Sequence, residues 1–147
     1  MATLKELGSS DFDELKALFR GVFTQPPWND DWSDEEQLDQ YLLDLMGART
    51  PLVLGLVEKG ELIGASIGSV RHWYEGTEYV VDEFFVRSDM QGKGHGSEFL
   101  SLIEGHLGAI GVHTIYLTTD RDVPAYGFYR SRGFRELPKD VALFKTF

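Results

Sequence analysis

Gln91-Gly92-Lys93-Gly94-His95-Gly96-Ser97 lies between two segments of opposite character. Tyr79 to Val86 before it has the composition of a strand, while Phe99, Leu100, Ile103 and Leu107 after it keep helical spacing. A glycine-rich turn leading from strand to helix leaves unpaired backbone N–H groups at the first helical turn. Glycines let that backbone approach an anion closely, and the helix dipole adds about half a positive charge, so the segment suits a pyrophosphate. A dinucleotide turn would need a third glycine where Ser97 stands, and a nucleotide P-loop would need a Gly-Lys-Ser/Thr ending that is missing. A plain tight turn is the alternative, but glycine in a first helical turn costs up to about 1 kcal/mol against alanine, and three alternating glycines exceed what a turn requires.

Working outward, Thr3 to Leu7 reads as a first strand, and Ser9 or Ser10 can cap a helix carrying Phe12, Leu15, Leu18, Phe19 and Val22, which stops near Pro26-Pro27. Ser33 with Glu36 three residues later is a capping-box signature before the stripe Leu38, Tyr41, Leu42 and Leu45. Pro51 to Glu58, Glu61 to Val70 and Glu78 to Val86 read as an antiparallel meander turning at Lys59-Gly60 and Glu75-Gly76. Beyond the glycine-rich helix come a strand from Val112 to Leu117, a helix between Pro124 and Gly133, and a final strand pair at Phe134 to Leu137 and Val141 to Phe147. This order predicts a mixed α/β (α+β) domain over residues 1–147. Its mostly antiparallel sheet of six to seven strands would carry about four helices and one parallel β-α-β crossover.

The chain has 147 residues, enough for one domain with its own core, and no apolar run nears the roughly 20 residues that cross a bilayer. Zero cysteines rule out a disulfide framework or a thiolate metal site, and Met1 to Glu6 lacks a signal-peptide pattern, so a cytoplasmic, membrane-free location is expected. With 24 acidic against 14 basic residues the formal charge is −10, which opposes nucleic acid as a partner and favours cationic ligands. His72, His95, His106 and His113 show no metal-ligand spacing, so no metal is expected. Val141-Ala142-Leu143-Phe144 is apolar enough to pair with a second copy in a shared sheet, giving a homodimer.

Gln91, Gly94 and Gly96 satisfy the Gln/Arg-x-x-Gly-x-Gly/Ala signature for acetyl-CoA, and here the chain resembles the GNAT superfamily of N-acetyltransferases. Val86 before the loop, and Ala125, Phe128-Tyr129 and Gly133-Phe134 after it, stand at the distances that family shows, so the resemblance spans roughly Leu52 to Phe134. It implies the GNAT fold, acetyl-CoA as cosubstrate, and a primary amine as acceptor, with direct attack and no covalent enzyme intermediate. The coenzyme site implied is Phe85, Val86, Gln91, Gly92, Lys93, Gly94, His95, Gly96 and Ser97, with Asp122 where an asparagine often contacts the coenzyme. Ser88 replaces a common proline and His95 a common aliphatic residue. The pantetheine arm would enter a splayed gap between Val80–Val86 and Val112–Leu117.

Acyl transfer to an amine needs a neutral amine, donors for the developing oxyanion and a proton for the departing thiolate. The resemblance makes the backbone N–H near Phe85 or Val86 the oxyanion donor and Tyr129 the acid towards the coenzyme sulfur. The other reading of Tyr129 is a ring packed on the sheet with its hydroxyl satisfied. Asp82 and Glu83 are adjacent in an apolar strand, so alternation sends them to opposite faces, and either could take the amine proton or bind the amine without doing so. Trp28, Asp31 and Trp32 lie where the family commonly builds an acceptor wall, and Trp73 at a hairpin end could complete it; helix capping and packing explain the first three as well. An aminoglycoside-like or polyamine-like cation is the expected acceptor. Peptide or protein amines, and a non-catalytic acyl-CoA-binding module, are the competing functions.

Overall fold

The computed structural model describes residues 1–147. Strand β1 (Thr3–Glu6) leads through a 3-10 turn at Ser9–Asp11 into helix α1 (Phe12–Phe23), followed by helix α2 (Glu35–Met46). Strands β2 (Pro51–Glu58), β3 (Glu61–Trp73) and β4 (Gly76–Val86) form a meander. Helix α3 (His95–Ala109) then crosses to strand β5 (Thr114–Leu117), and helix α4 (Pro124–Ser131) follows. The strands form one sheet in the order β1-β2-β3-β4-β5, antiparallel as far as β4 and parallel between β4 and β5. A parallel neighbour requires a long crossover, and α3 supplies it.

Alternation along the strands serves two helical layers. Val53, Ala65, Ile67 and Phe85 pack with Leu15, Phe19 and Val22 of α1 and Leu38 and Leu42 of α2. Leu52, Leu54, Leu56, Ile63, Tyr79 and Val86 face the other way, onto Phe99, Ile103 and Leu107 of α3. Phe99 and Leu38 are fully buried, and each such side chain is worth about 1.5–3 kcal/mol relative to exposure.

The helix starts differ in detail from the sequence expectation. Neither Ser9 nor Ser10 caps α1; Asp11 Oδ2 instead accepts from the Gly8 N–H at 2.9 Å. At α2 the cap is Asp34, whose Oδ1 accepts from the Gln37 N–H at 3.1 Å, one residue beyond the expected Ser33. An aspartate reaches the second or third amide as well as a serine does, and here the carboxylate also meets the positive helix end.

The sheet has five strands, not the six to seven expected, because neither 134–137 nor 141–147 forms a strand. Phe134 N–H donates to the Tyr129 carbonyl (3.1 Å), and Glu136 is held by Arg121 (2.7 Å) and by the Tyr126 hydroxyl (3.1 Å). These contacts tie the segment to α4 and the loop before it. A wide gap remains between the segment and β5, and pairing requires strands about 4.8 Å apart.

Candidate active site

Strand β4 carries the site because two irregularities meet in it. Ile67 of β3 pairs with Glu83 whereas Gly68 pairs with Val81, so Asp82 is an extra residue, a β-bulge. Bulges bend a strand and sharpen its twist. Gly68 makes room for this one: a Cβ there would lie 2.3 Å from the Val80 carbonyl oxygen and 2.7 Å from the Tyr79 ring. On its other side β4 pairs with β5 only from Glu78 to Val81, opposite Thr114 to Leu117. From Asp82 to Val86 that edge is open, so the gap that the resemblance implied between Val80–Val86 and Val112–Leu117 begins only after Val81, which still pairs with Leu117.

Along the open edge, Arg87 N–H donates to the Ile63 carbonyl (2.7 Å), and Val86 pairs with Gly64. Alternation of antiparallel bonds then turns the Phe85 N–H towards β3 and the Val86 N–H towards the gap. Of the two expected oxyanion donors, Val86 is therefore the one whose amide faces the opening. The Gln91 side-chain amide donates to the Val86 carbonyl at 2.9 Å, so it ties the loop to the strand end.

None of the backbone N–H groups of Gly92, Lys93, Gly94, His95, Gly96 and Ser97 lies in hydrogen-bond geometry with a protein oxygen. Gly92 and Gly94 have φ of +76° and +86°, a conformation open to glycine and strained for residues with a Cβ. Together they turn the loop into the first turn of the 15-residue α3, where Phe128 of α4 lies against Gly96. Six free amides at the positive end of a helix can hold a diphosphate, so the chain's own groups fit an acetyl-CoA. Lys93 is exposed at this loop, and His95 faces Glu98 (3.7 Å). Asp122 is exposed in the loop between β5 and α4.

The two adjacent carboxylates, equivalent in the sequence, are separated by the fold. Asp82 is exposed; Glu83 is largely buried, and its Oε1 accepts from the Tyr41 hydroxyl at 2.6 Å. Burial pushes the Glu83 carboxyl up to about 7, against the Tyr41 hydrogen bond and with the charges of Asp82 and Asp30 adding to the rise. Burial alone raises Asp82. Tyr41 is also raised, by burial and then by Glu83, so it stays a donor. Sequence reading placed Tyr41 only in the apolar stripe of α2. The usable signal was a hydroxyl on an otherwise leucine-lined face, which must find a partner when buried.

Tyr129 lies across the gap, buried at 9% exposure, its ring 6.1 Å from Phe84 and 5.2 Å from Phe134. The ring is packed as the alternative reading expects, and its hydroxyl forms no hydrogen bond with another group of the protein. Burial, and secondarily the charge of Glu83, push it up to about 12, which keeps the proton on the oxygen.

The expected acceptor wall is only partly assembled. Trp32 stacks on Tyr41 (5.3 Å, 26°) and meets Phe19 edge-on (5.6 Å), which brings it beside the Glu83 partner. Trp28 packs on Phe23 (5.5 Å). Asp31 Oδ1 accepts from the Ser33 N–H at 3.1 Å, and bonding to Ser33 holds its carboxyl below the usual range. Trp73 stays at the hairpin tip, with Tyr74 at 5.2 Å and the Arg71 guanidinium 5.6 Å over its ring. No group of three histidine or carboxylate side chains converges as a metal site, and no helix is long and apolar enough to cross a membrane.

Residues 12–134 match the family model described as Acetyltransferase (GNAT) family. No curated protein matches the sequence at significant similarity. Among solved structures, the chain is similar to aminoglycoside acetyltransferase meta-AAC0020 from an uncultured soil metagenomic sample, in complex with sisomicin. That similarity has 20% identity, a TM-score of 0.74, and coverage of 99% of this chain and 96% of the other. It is similar also to AAC(6')-Iy in complex with a bisubstrate analogue, at 13% identity and TM-score 0.74 over 100% and 99% of the two chains. A predicted acetyltransferase with acetyl-CoA from Clostridium acetobutylicum gives 13% identity and TM-score 0.74 over 98% and 96%. At these identities the structures attest the fold, while the family match covers most of the chain. The chain belongs to the acetyltransferase (GNAT) family and, as a member, is an acetyl-CoA-dependent N-acetyltransferase.

Proposed function

We propose that residues 1–147 act as a single domain that acetylates a primary amine of a small, multiply cationic compound of the aminoglycoside or polyamine kind. The observation that carries this reading is the part-buried Glu83 carboxylate, held by Tyr41, on which Trp32 stacks, at the point where β4 parts from β5. A carboxyl that ionises near 7 is matched to removing a proton from an ammonium at neutral pH, directly or through water. The exposed carboxylates Asp30 and Asp82 act on Glu83, and Trp32, half-buried, stacks on its partner Tyr41. That combination attracts ammonium groups. The solved aminoglycoside acetyltransferases of like fold agree with this acceptor class.

Acetyl-CoA supplies an activated acetyl thioester. In this reading the amides of 92–97 hold its diphosphate, and the Val86 N–H faces the charge that grows on the carbonyl oxygen. One such donor is worth about 3 kcal/mol in a dry site. Glu83 takes the amine proton, Asp82 helps to bind the cation, and the Tyr129 hydroxyl gives its proton to the departing sulfur. A homodimer and a cytoplasmic location belong to the same reading.

Thiol release from acetyl-CoA, measured in parallel with aminoglycosides, polyamines and amino-terminal peptides, tests it. Turnover with the first two classes is the expected result. Faster turnover with peptides would transfer the assignment to protein or peptide amines. Coenzyme binding with no thiol release on any amine would make the chain a binding module.

A further inference from the structure

Two cations of α1 face two carboxylates of α2 at the border of the core. Lys16 and Arg20 stand four residues apart, about one turn along the same face of α1, and Glu35 and Asp39 repeat that spacing on α2. Lys16 Nζ pairs with Glu35 Oε1 and, at 2.5 Å, with Asp39, while Arg20 Nη2 pairs with Glu35 Oε2. The same Arg20 nitrogen donates to the Trp32 carbonyl at 3.3 Å. Glu35 is exposed and the other three are half-buried, and ion pairs open to water add little stability. The two helices already share a core through Leu15, Phe19, Val22, Leu38 and Leu42. A clamp in this place fixes geometry more than it holds the fold together.

What it fixes is the stretch that carries Trp32. Trp32 has one hydrogen bond with the rest of the protein, the one from Arg20; its main-chain N–H forms none, and its indole N–H is buried without a partner. The ring rests on Tyr41 (5.3 Å, 26°) and against the edge of Phe19 (5.6 Å). No hydrogen bond sets the register of that stack, so the main-chain anchor decides where on Tyr41 the ring lies. Tyr41 in turn donates to Glu83 at 2.6 Å. Arg20, Trp32, Tyr41 and Glu83 are thus linked by direct contacts from α1 to the open edge of β4.

We propose that Arg20 is a positioning residue for the acceptor amine: anchored by Glu35, it holds the Trp32 carbonyl and so sets the ring that walls the amine in front of Glu83. The inference rests on the reading of Glu83 as base and Trp32 as acceptor wall, and Arg20 itself touches neither substrate. Lys16 supports it by holding the second oxygen of Glu35. The sign of the charge separates this role from plain electrostatics. Arg20→Met removes a cation from the acceptor side, so by charge alone a cationic amine would bind more tightly. Loss of positioning does the opposite, and a displacement of about 1 Å is enough to lower the rate about 10²-fold.

The test labels the full chain with fluorotryptophan, which gives one fluorine resonance for each of the three tryptophans; that of Trp32 is assigned by its loss in Trp32→Phe. Arg20→Met keeps the aliphatic stem, and circular dichroism shows whether it is folded. Beside the spectra, kcat and KM are measured with the amine turned over fastest among aminoglycosides, polyamines and peptides. The expected result is a folded Arg20→Met in which the Trp32 resonance alone moves. Its KM for the amine rises, kcat/KM falls about tenfold or more, and acetyl-CoA affinity by calorimetry is unchanged. In a Trp32→Ala background the same substitution should lower kcat/KM by less than about twofold, since the effect passes through that ring.

A Trp32 resonance that stays in place overturns the proposal, as does a lower KM, additivity with Trp32→Ala, or an Arg20→Met chain that no longer folds. Failure of the underlying reading looks different. There the Trp32 resonance moves but Trp32→Ala leaves the amine kinetics unchanged, so Arg20 positions a ring with no part in binding the acceptor, and the proposal falls with the reading.

Discussion

The Tyr41 hydroxyl, on α2, donates a 2.6 Å hydrogen bond to Glu83 Oε1, on β4, across 42 residues of sequence. This bond favours the ionised carboxylate and opposes the burial that raises Glu83 to about 7. Tyr41→Phe removes it, so the Glu83 pKa moves upward. The acidic limb of the kcat/KM profile should shift to higher pH, with most of the rate lost near pH 6–7 and regained above pH 8. A profile that drops evenly at all pH values would show that Tyr41 serves packing alone.

Glu83→Gln keeps the shape and an acceptor for Tyr41 but cannot ionise. If Glu83 is the base, kcat should fall by about 10²–10⁴, whereas Asp82→Asn, at an exposed position, should chiefly raise KM for the amine. Stability supplies an independent check. The folded carboxyl keeps its proton to about pH 7, while an unperturbed glutamate loses it near 4.5. Its contribution is therefore whole below about pH 4.5 and is lost as pH rises through 7. Glu83→Gln should raise Tm at pH 8 and leave it unchanged at pH 4, by differential scanning fluorimetry.

Tyr129→Phe removes a hydroxyl that has no partner within the protein, so the fold should be indifferent to it. Turnover should fall by about 10²–10⁴ with acetyl-CoA affinity nearly intact, read by steady-state kinetics beside calorimetry. An unchanged kcat would end the assignment of Tyr129 as acid.

Gly94→Ala puts a Cβ at φ +86°. The strain is about 1–2 kcal/mol, and relaxing it turns amides of the loop away from their common direction. Acetyl-CoA affinity should fall about tenfold or more, and the coenzyme-induced rise in Tm should shrink accordingly.

Gly68→Ala tests the bulge. The new Cβ would meet the Val80 carbonyl oxygen at 2.3 Å, and backbone cannot move aside as a side-chain tip can. Unfolding in urea should show a loss of about 3 kcal/mol or more, and activity should drop even at temperatures where the variant is folded, because Asp82 and Glu83 are aimed by the strand it distorts.

Local signals were enough for the element order as far as α4, the meander, the parallel crossover and the glycine-rich turn. Each is written in short-range terms: period 2 or 3.6 in the apolar residues, glycine where φ is positive, and Pro124 at the first turn of α4. The residues expected at the coenzyme loop lie together for the same reason, being contiguous in the chain. The exchange of Ser33 for Asp34 as a cap was beyond such signals, because both residues cap well and only the actual path of the backbone selects one.

What the amino acids left open was whatever depends on distant segments meeting. Asp82 and Glu83 are equivalent by strand alternation; a single extra residue opposite Ile67 and Gly68, and a tyrosine 42 positions away, make one of them a buried acid near pKa 7 and leave the other in water. The fate of 134–147 is of the same kind. Its composition suits strands, but a strand exists only where a neighbouring edge lies within hydrogen-bonding distance, and the contacts of Phe134 and Glu136 hold this segment away from β5. Patterning along a chain is local, whereas burial, pairing and the pKa shifts they cause are properties of the assembled surroundings.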